Sequence, residues 1–143
     1  MYNKILVPVD LSEEGFADHA VAEATKVCAA GGTLVLLTVV AGYQMPVVGS
    51  FFPDGAFDKA FHAIERQLKD FADTHLNDAN LTLELVVKEG GRAETILQQA
   101  QSHQADLIVM ASHKQTGVKS GILGSVANKV VNLSPIPVMV VKS

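Results

Sequence analysis

"DLIVMASHKQTGVKSGILGSVANKVV", residues 106–131, is the stretch on which the reading of this chain turns. It opens with "DLIVMA" (106–111), a short apolar run of the kind that forms a strand covered on both faces. It passes Gly117, Gly121 and Gly124, and continues from Ser125 to Leu133 as a helix-like segment. Strand, glycine loop and helix in succession are the unit of an α/β sheet. The loop itself leaves two readings open. The first amides of a helix lack internal partners and sit at the positive end of its dipole, so they accept an anion. Gly124 would let a phosphate approach the backbone, and Ser125 would cap the helix or donate to an oxygen. Equally, Gly-Ser is an ordinary helix start.

Working outward, the same alternation recurs. "KILVPV" (4–9) reads as a buried strand, and Ser12, Glu13 and Glu14 then suit the start of a helix. Phe16, Ala17, Ala20, Val21, Ala24, Val27 and Cys28 follow at helical spacing, with Gly31-Gly32 as the expected stop. "TLVLLTVV" (33–40) is a second strand. A loop with Pro46, Gly49, Pro53 and Gly55 leads to a helix on which Phe57, Phe61, Ile64, Leu68 and Phe71 form one apolar stripe. "LTLELVV" (81–87), a helix over 92–103, the strand 106–111, a helix over 125–133 and "VMVV" (138–141) complete the series. The order predicts an α/β fold: a doubly wound, five-stranded parallel sheet with helices on both faces, as one domain over 1–143. In such sheets ligands lie beyond the carboxyl ends of the strands, where the winding reverses. The ends "VPVDLS" and "MASHK" would border one crevice if the reversal falls between their strands.

Composition narrows the function classes. The 143 residues are 48% hydrophobic and 18% charged, with a net charge of −4, so a folded domain is expected and a basic nucleic-acid footprint is missing. The apolar runs fall short of the roughly 20 residues of a membrane span. "MYNKILVPVD" has no signal-peptide character, and the single Cys28 excludes an internal disulfide, which makes the cytoplasm the expected compartment. Neither nucleic acid nor membrane is an expected partner.

Several chemistries are absent from the pattern. No G-x-G-x-x-G follows the first strand, no G-x-x-x-x-G-K-[ST] occurs, and no G-x-S-x-G elbow is present. "VVKEGG" lacks the aspartate of a phosphoacceptor domain. Asp10 reads either as a turn residue or as an acceptor for a base amine or ribose hydroxyl. His113 is one of five scattered histidines, none at metal-ligand spacing, and reads as a loop residue placed to touch the crevice. A Ser125-His113-Asp10 triad has nothing to fix its geometry, so no catalytic residue and no metal ligand is assigned. Cys28 falls on an apolar helix face and reads as buried and inert.

Taken together, "KILVPVDLSEEG", "LLTVV", "EGGRAETIL" and "DLIVMASHKQTGVKSGILGSVANKVVNLSPIPVMVV" resemble a universal stress protein along nearly the whole chain. The resemblance implies a Rossmann-like fold of the adenine nucleotide alpha hydrolase type. The family's nucleotide-binding members resemble one another in a loop pattern G-x2-G-x9-G-[ST]. Here Gly124-Ser125 supply its end at the right spacing, while Ala111 and Lys114 stand in place of its first two glycines. By this resemblance the cofactor is ATP or AMP, with or without Mg. Asp10 would hold the ribose or adenine end, with Val9 and Val39 against the base. Met110 and Ala111 would line the wall between base and ribose, and His113, Lys114, Gly124, Ser125 and Val126 would surround the phosphates. The resemblance further implies a homodimer through Val138–Val141, or a higher oligomer. It implies a regulatory binding protein in stress response; a slow ATPase or self-phosphorylating protein, and a nucleotide-free protein acting through protein contacts, are the alternatives.

Overall fold

The central strands carry apolar runs because both of their faces are covered, while the edge strand over residues 82–89 interleaves charged residues. The computed structural model describes residues 1–40, 56–76, 80–112 and 123–142. Within them lie β1 (Tyr2–Pro8), α1 (Asp18–Val27), β2 (Cys28–Val40), α2 (Ala56–His75), β3 (Thr82–Glu89), α3 (Arg92–Ser102), β4 (Leu107–Ser112), α4 (Ser125–Leu133) and β5 (Val138–Lys142). The strands form one sheet in the order β3-β2-β1-β4-β5, with every neighbouring pair parallel. Alternate residues serve opposite cores. Ile5, Val7, Leu34 and Leu36 point to the face covered by α1 and α2, where Ala20, Val21, Ala24 and Leu68 meet them. Leu6, Val35, Leu37 and Ile108 point to the face covered by α3 and α4, against Ile96, Ala100, Ala127 and Val130. This is the doubly wound α/β sheet that the sequence pattern predicts.

The stripe on α2 behaves as core: Leu68 is fully buried, and Phe61, Ile64 and Phe71 pack around the same cluster. Phe57, its first member, falls in the first turn of α2, and the preceding loop 41–55 lies outside the described residues. Among the described residues no helix is long and apolar enough to cross a membrane.

Three local expectations are corrected. Ser12 does not cap α1, which begins at Asp18 with Ala17 at the cap position and no side-chain bond there. Instead the Ser12 amide and hydroxyl both donate to Asp10 Oδ1, at 3.0 and 2.5 Å. The carboxylate thereby closes a local turn that competes with helix initiation. Nor do Gly31 and Gly32 stop α1, whose last residue is Val27. They lie inside β2, where the pairing jumps from Tyr2↔Cys28 to Lys4↔Thr33. Gly31 has φ +77°, and a Cβ on Gly32 would stand 2.7 Å from Cys28 Sγ, 2.8 Å from Ala29 O and 2.9 Å from Asn3 O. Both glycines serve an irregularity of the β1–β2 ladder. With the helix ending at Val27, Cys28 is not on its apolar face but opens β2, which starts five residues before the strand read from sequence, and it is buried there. The remaining strand ends and the ends of α3 and α4 differ from the sequence reading by at most two residues, the usual uncertainty of helix and strand termini.

Candidate functional site

The chain winds outward from β1 through β2 to β3, then crosses back to β4 and β5, so the reversal falls between β1 and β4. A cleft of about 230 Å³ opens there, beyond the carboxyl ends of the strands. Its first wall is the end of β1. The Val9 amide donates to Leu37 O at 2.7 Å, and Thr38 Oγ1 donates to Val9 O at 3.1 Å. Val9 is thus tied on both sides to β2, and the chain turns at Asp10 under the Ser12 bonds. Val39 and Thr38 continue this wall, and Phe16 and Glu13 stand at its edge.

The opposite wall is β4 and the start of α4. Met110 is buried, Ala111 half-buried, and Ser112 only 3% exposed. The Ser112 hydroxyl oxygen accepts the Gly124 amide at 3.0 Å, which joins the end of β4 to the cap of α4. Gly124 itself has φ −60° and ψ 160°, an extended conformation open to any residue. A Cβ there would meet Ser112 Oγ at 3.4 Å, an ordinary contact. Neither backbone strain nor crowding among the described residues therefore demands glycine at this position. Ser125, Val126 and Ala127, the first residues of α4, line the cleft, and amides in that turn have no intrahelical acceptor.

The third side is the start of α3. Gly90, with φ +149°, and Gly91 at the cap turn the chain so that Arg92 and Ile96 line the cleft. Arg92 Nη1 lies 3.5 Å from Asp10 Oδ2. Outside the cleft, Lys129 donates to Glu94 and joins α4 to α3. That hydrogen bond, followed by one from the Glu94 backbone amide and by the Lys129 charge, holds the Glu94 carboxyl below its usual range. Far from the cleft, burial first and the Asp106 charge second push the Cys28 thiol up.

Eight of the residues selected from sequence therefore share one cleft: Val9, Asp10, Val39, Met110, Ala111, Gly124, Ser125 and Val126. His113 and Lys114 lie outside the described residues. Sequence reasoning passed over Thr38, Ser112 and Arg92. Ser112 was signalled only by its place in "ASHK", and Arg92 by following Gly-Gly at a helix start. Among the described residues, no three His, Cys, Asp or Glu side chains gather as metal ligands.

The fold and cleft define a doubly wound α/β protein whose site lies at the reversal of its sheet. The chain belongs to the universal stress protein family, whose model matches residues 1–142. It is 33% identical over 143 residues to a universal stress protein of Thermus aquaticus from the QAH/OAS sulfhydrylase 3′ region, covering 99% of this chain and all of that one. Universal stress protein MJ0531 of Methanocaldococcus jannaschii is 29% identical over 146 residues, which cover 99% of this chain and 83% of that protein. The solved structure of MJ0577, from the same organism, superposes with a TM-score of 0.78 at 30% identity, covering 100% of this chain and 97% of that one. Two more distant structures share the fold. One is a universal stress protein in complex with cAMP (TM-score 0.64, 22% identity, 98% of this chain and 97% of that one). The other is a protein of Archaeoglobus fulgidus in complex with dAMP (TM-score 0.58, 20% identity, 97% of each chain).

Proposed function

We propose that this protein is a regulatory adenine-nucleotide binder, holding ATP or AMP in the cleft between β1 and β4 with little or no turnover. The observation that carries the reading is Gly124. A residue whose backbone and surroundings tolerate a side chain, yet which opens a helix facing a cleft, leaves room for a ligand to approach the amides. Those amides and the helix dipole favour an anion. Apolar Val9, Val39 and Met110 offer a surface for the base, and Asp10 offers an acceptor for a ribose hydroxyl. Ala111 lines the wall between base and ribose. Gly124, Ser125 and Val126 receive the phosphates, and His113 and Lys114 complete that end. Two proteins of this fold form complexes with cAMP and dAMP, in keeping with a nucleotide-sized ligand. A Mg2+ accompanying ATP would rest on phosphate oxygens and water, with few protein ligands; among the described residues, Asp10 and Glu13 are the carboxylates that line the cleft.

The working unit in this reading is a single domain over 1–143 in the cytoplasm, paired through β5. That strand is an edge of the sheet, and Val138–Val141 would otherwise leave an apolar ladder unprotected. Light scattering should give at least a dimer, and Val140→Pro should weaken it; a wild-type monomer at micromolar concentration overturns the pairing. For the ligand, protein purified and then denatured should release an adenine nucleotide detectable by mass spectrometry. Protein that carries none, and that also fails to bind added ATP or AMP, overturns the functional reading.

A further inference from the structure

We propose that Arg92 is a specificity-determining residue beside Asp10, and that the pair reads the vicinal diol of a ribose, making the cleft selective for ribonucleotides. The inference rests on the nucleotide reading above and adds to it a residue and a selectivity. Asp10 is held in a defined orientation. Its Oδ1 accepts both the amide and the hydroxyl of Ser12, at 3.0 and 2.5 Å. Its Oδ2 is the oxygen nearer Arg92, 3.5 Å from Nη1. That separation is within ion-pair reach but longer than a direct N–H···O bond of about 2.7–3.2 Å. The two charges face each other without a tight mutual bond, and both side chains line the cleft.

The chemistry of the pair is complementary. A carboxylate only accepts hydrogen bonds, and a guanidinium only donates them. A hydroxyl does both. Two adjacent hydroxyls can therefore engage the pair together, one donating to Asp10 Oδ2 and the other accepting from Arg92. A ribose presents that arrangement; either deoxyribose lacks half of it. Charge points the same way. Glu13 lines the cleft with Asp10, and Arg92 offsets one of these two negative charges where a phosphate-bearing ligand must enter. The Gly90-Gly91 turn puts Arg92 at the first position of α3, close enough for both roles.

The test is calorimetric titration of AMP, 2′-deoxy-AMP and 3′-deoxy-AMP into wild type, Arg92→Ala and Arg92→Lys, with thermal melts to verify folding. Wild type should favour AMP over each deoxynucleotide by roughly ten- to hundredfold, one charge-assisted hydrogen bond. Arg92→Ala should weaken AMP by a similar factor and leave unchanged the deoxynucleotide that lacks the hydroxyl read by Arg92. Arg92→Lys, which keeps the charge and a donor, should recover part of the loss. An equal loss for all three ligands, or no loss for AMP, overturns the inference. Wild type that binds all three equally, in a manner abolished by Gly124→Asp, overturns it while the nucleotide reading stands. Wild type that binds none of them overturns both.

Discussion

Replacing Gly124 with aspartate separates a phosphate-holding helix start from one that only turns the chain. The position has φ −60° and ψ 160°, which aspartate adopts without strain, and its Cβ would sit 3.4 Å from Ser112 Oγ. Aspartate is a better N-cap than glycine by a few tenths of a kcal/mol, and its charge at the helix start adds about 0.3–1 kcal/mol. The fold should therefore gain about 0.5–1 kcal/mol, a rise of about 2–4 °C in Tm. The same carboxylate would occupy the anion's place. At about 5 Å from a phosphate charge and an effective dielectric near 20, the repulsion is about 3 kcal/mol, or roughly a hundredfold in affinity. Thermal melts and calorimetric titration of ATP and AMP read the two effects independently. Gly124→Asn, a neutral cap, should show the stability gain with a smaller loss of binding. A Gly124→Asp protein with raised Tm and wild-type nucleotide affinity would refute the reasoning, because the loop would then be only a corner.

Three other outcomes follow from particular residues. Gly32→Ala forces a Cβ within 3 Å of Cys28 Sγ and two backbone oxygens; urea denaturation should show a loss of about 1–3 kcal/mol, and unchanged stability would mean that the β1–β2 irregularity relaxes freely. Cys28, buried and with its thiol pushed up, should react with a disulfide reagent at pH 8 far more slowly in the native than in the unfolded protein; matching rates would contradict its placement. Lys114 lies outside the described residues, so its expectation rests on sequence. Lys114→Ala should weaken ATP binding by about ten- to hundredfold, and more at low salt than at high salt; a tighter-binding Lys114→Gly would show instead that the lysine obstructs the phosphates.

Much of the fold was legible because burial on both faces leaves a signature in one dimension. Runs such as "TLVLLTVV" need no knowledge of their neighbours to be read as strands, and α4 occupies the span expected from its apolar spacing and its Gly-Ser start. Features that depend on a second segment were not legible. The glycines at 31 and 32 look like a helix stop until β1 is laid beside them, when Asn3 O and Cys28 Sγ explain Gly32. Ser12 looks like a cap until the Asp10 carboxylate engages it. At the site, the strand ends and the helix start announced themselves through polar residues that follow apolar runs. Ser112 and Arg92 did not, since a serine at a strand end and an arginine on a helix are ordinary until Gly124 and Asp10 are found beside them.

The most direct test of the central claim is a titration of 15N-labelled protein with AMP, followed by amide chemical shifts. Saturable shifts should appear at Val9, Asp10, Val39 and Ala111, and most strongly at Ser125, Val126 and Ala127, whose amides open α4. Amides at the opposite end of the sheet, such as Lys4 and Asp106, should stay in place. A full spectrum that AMP leaves unmoved, or shifts confined to residues away from the β1–β4 cleft, would contradict the assignment of this cleft as the nucleotide site.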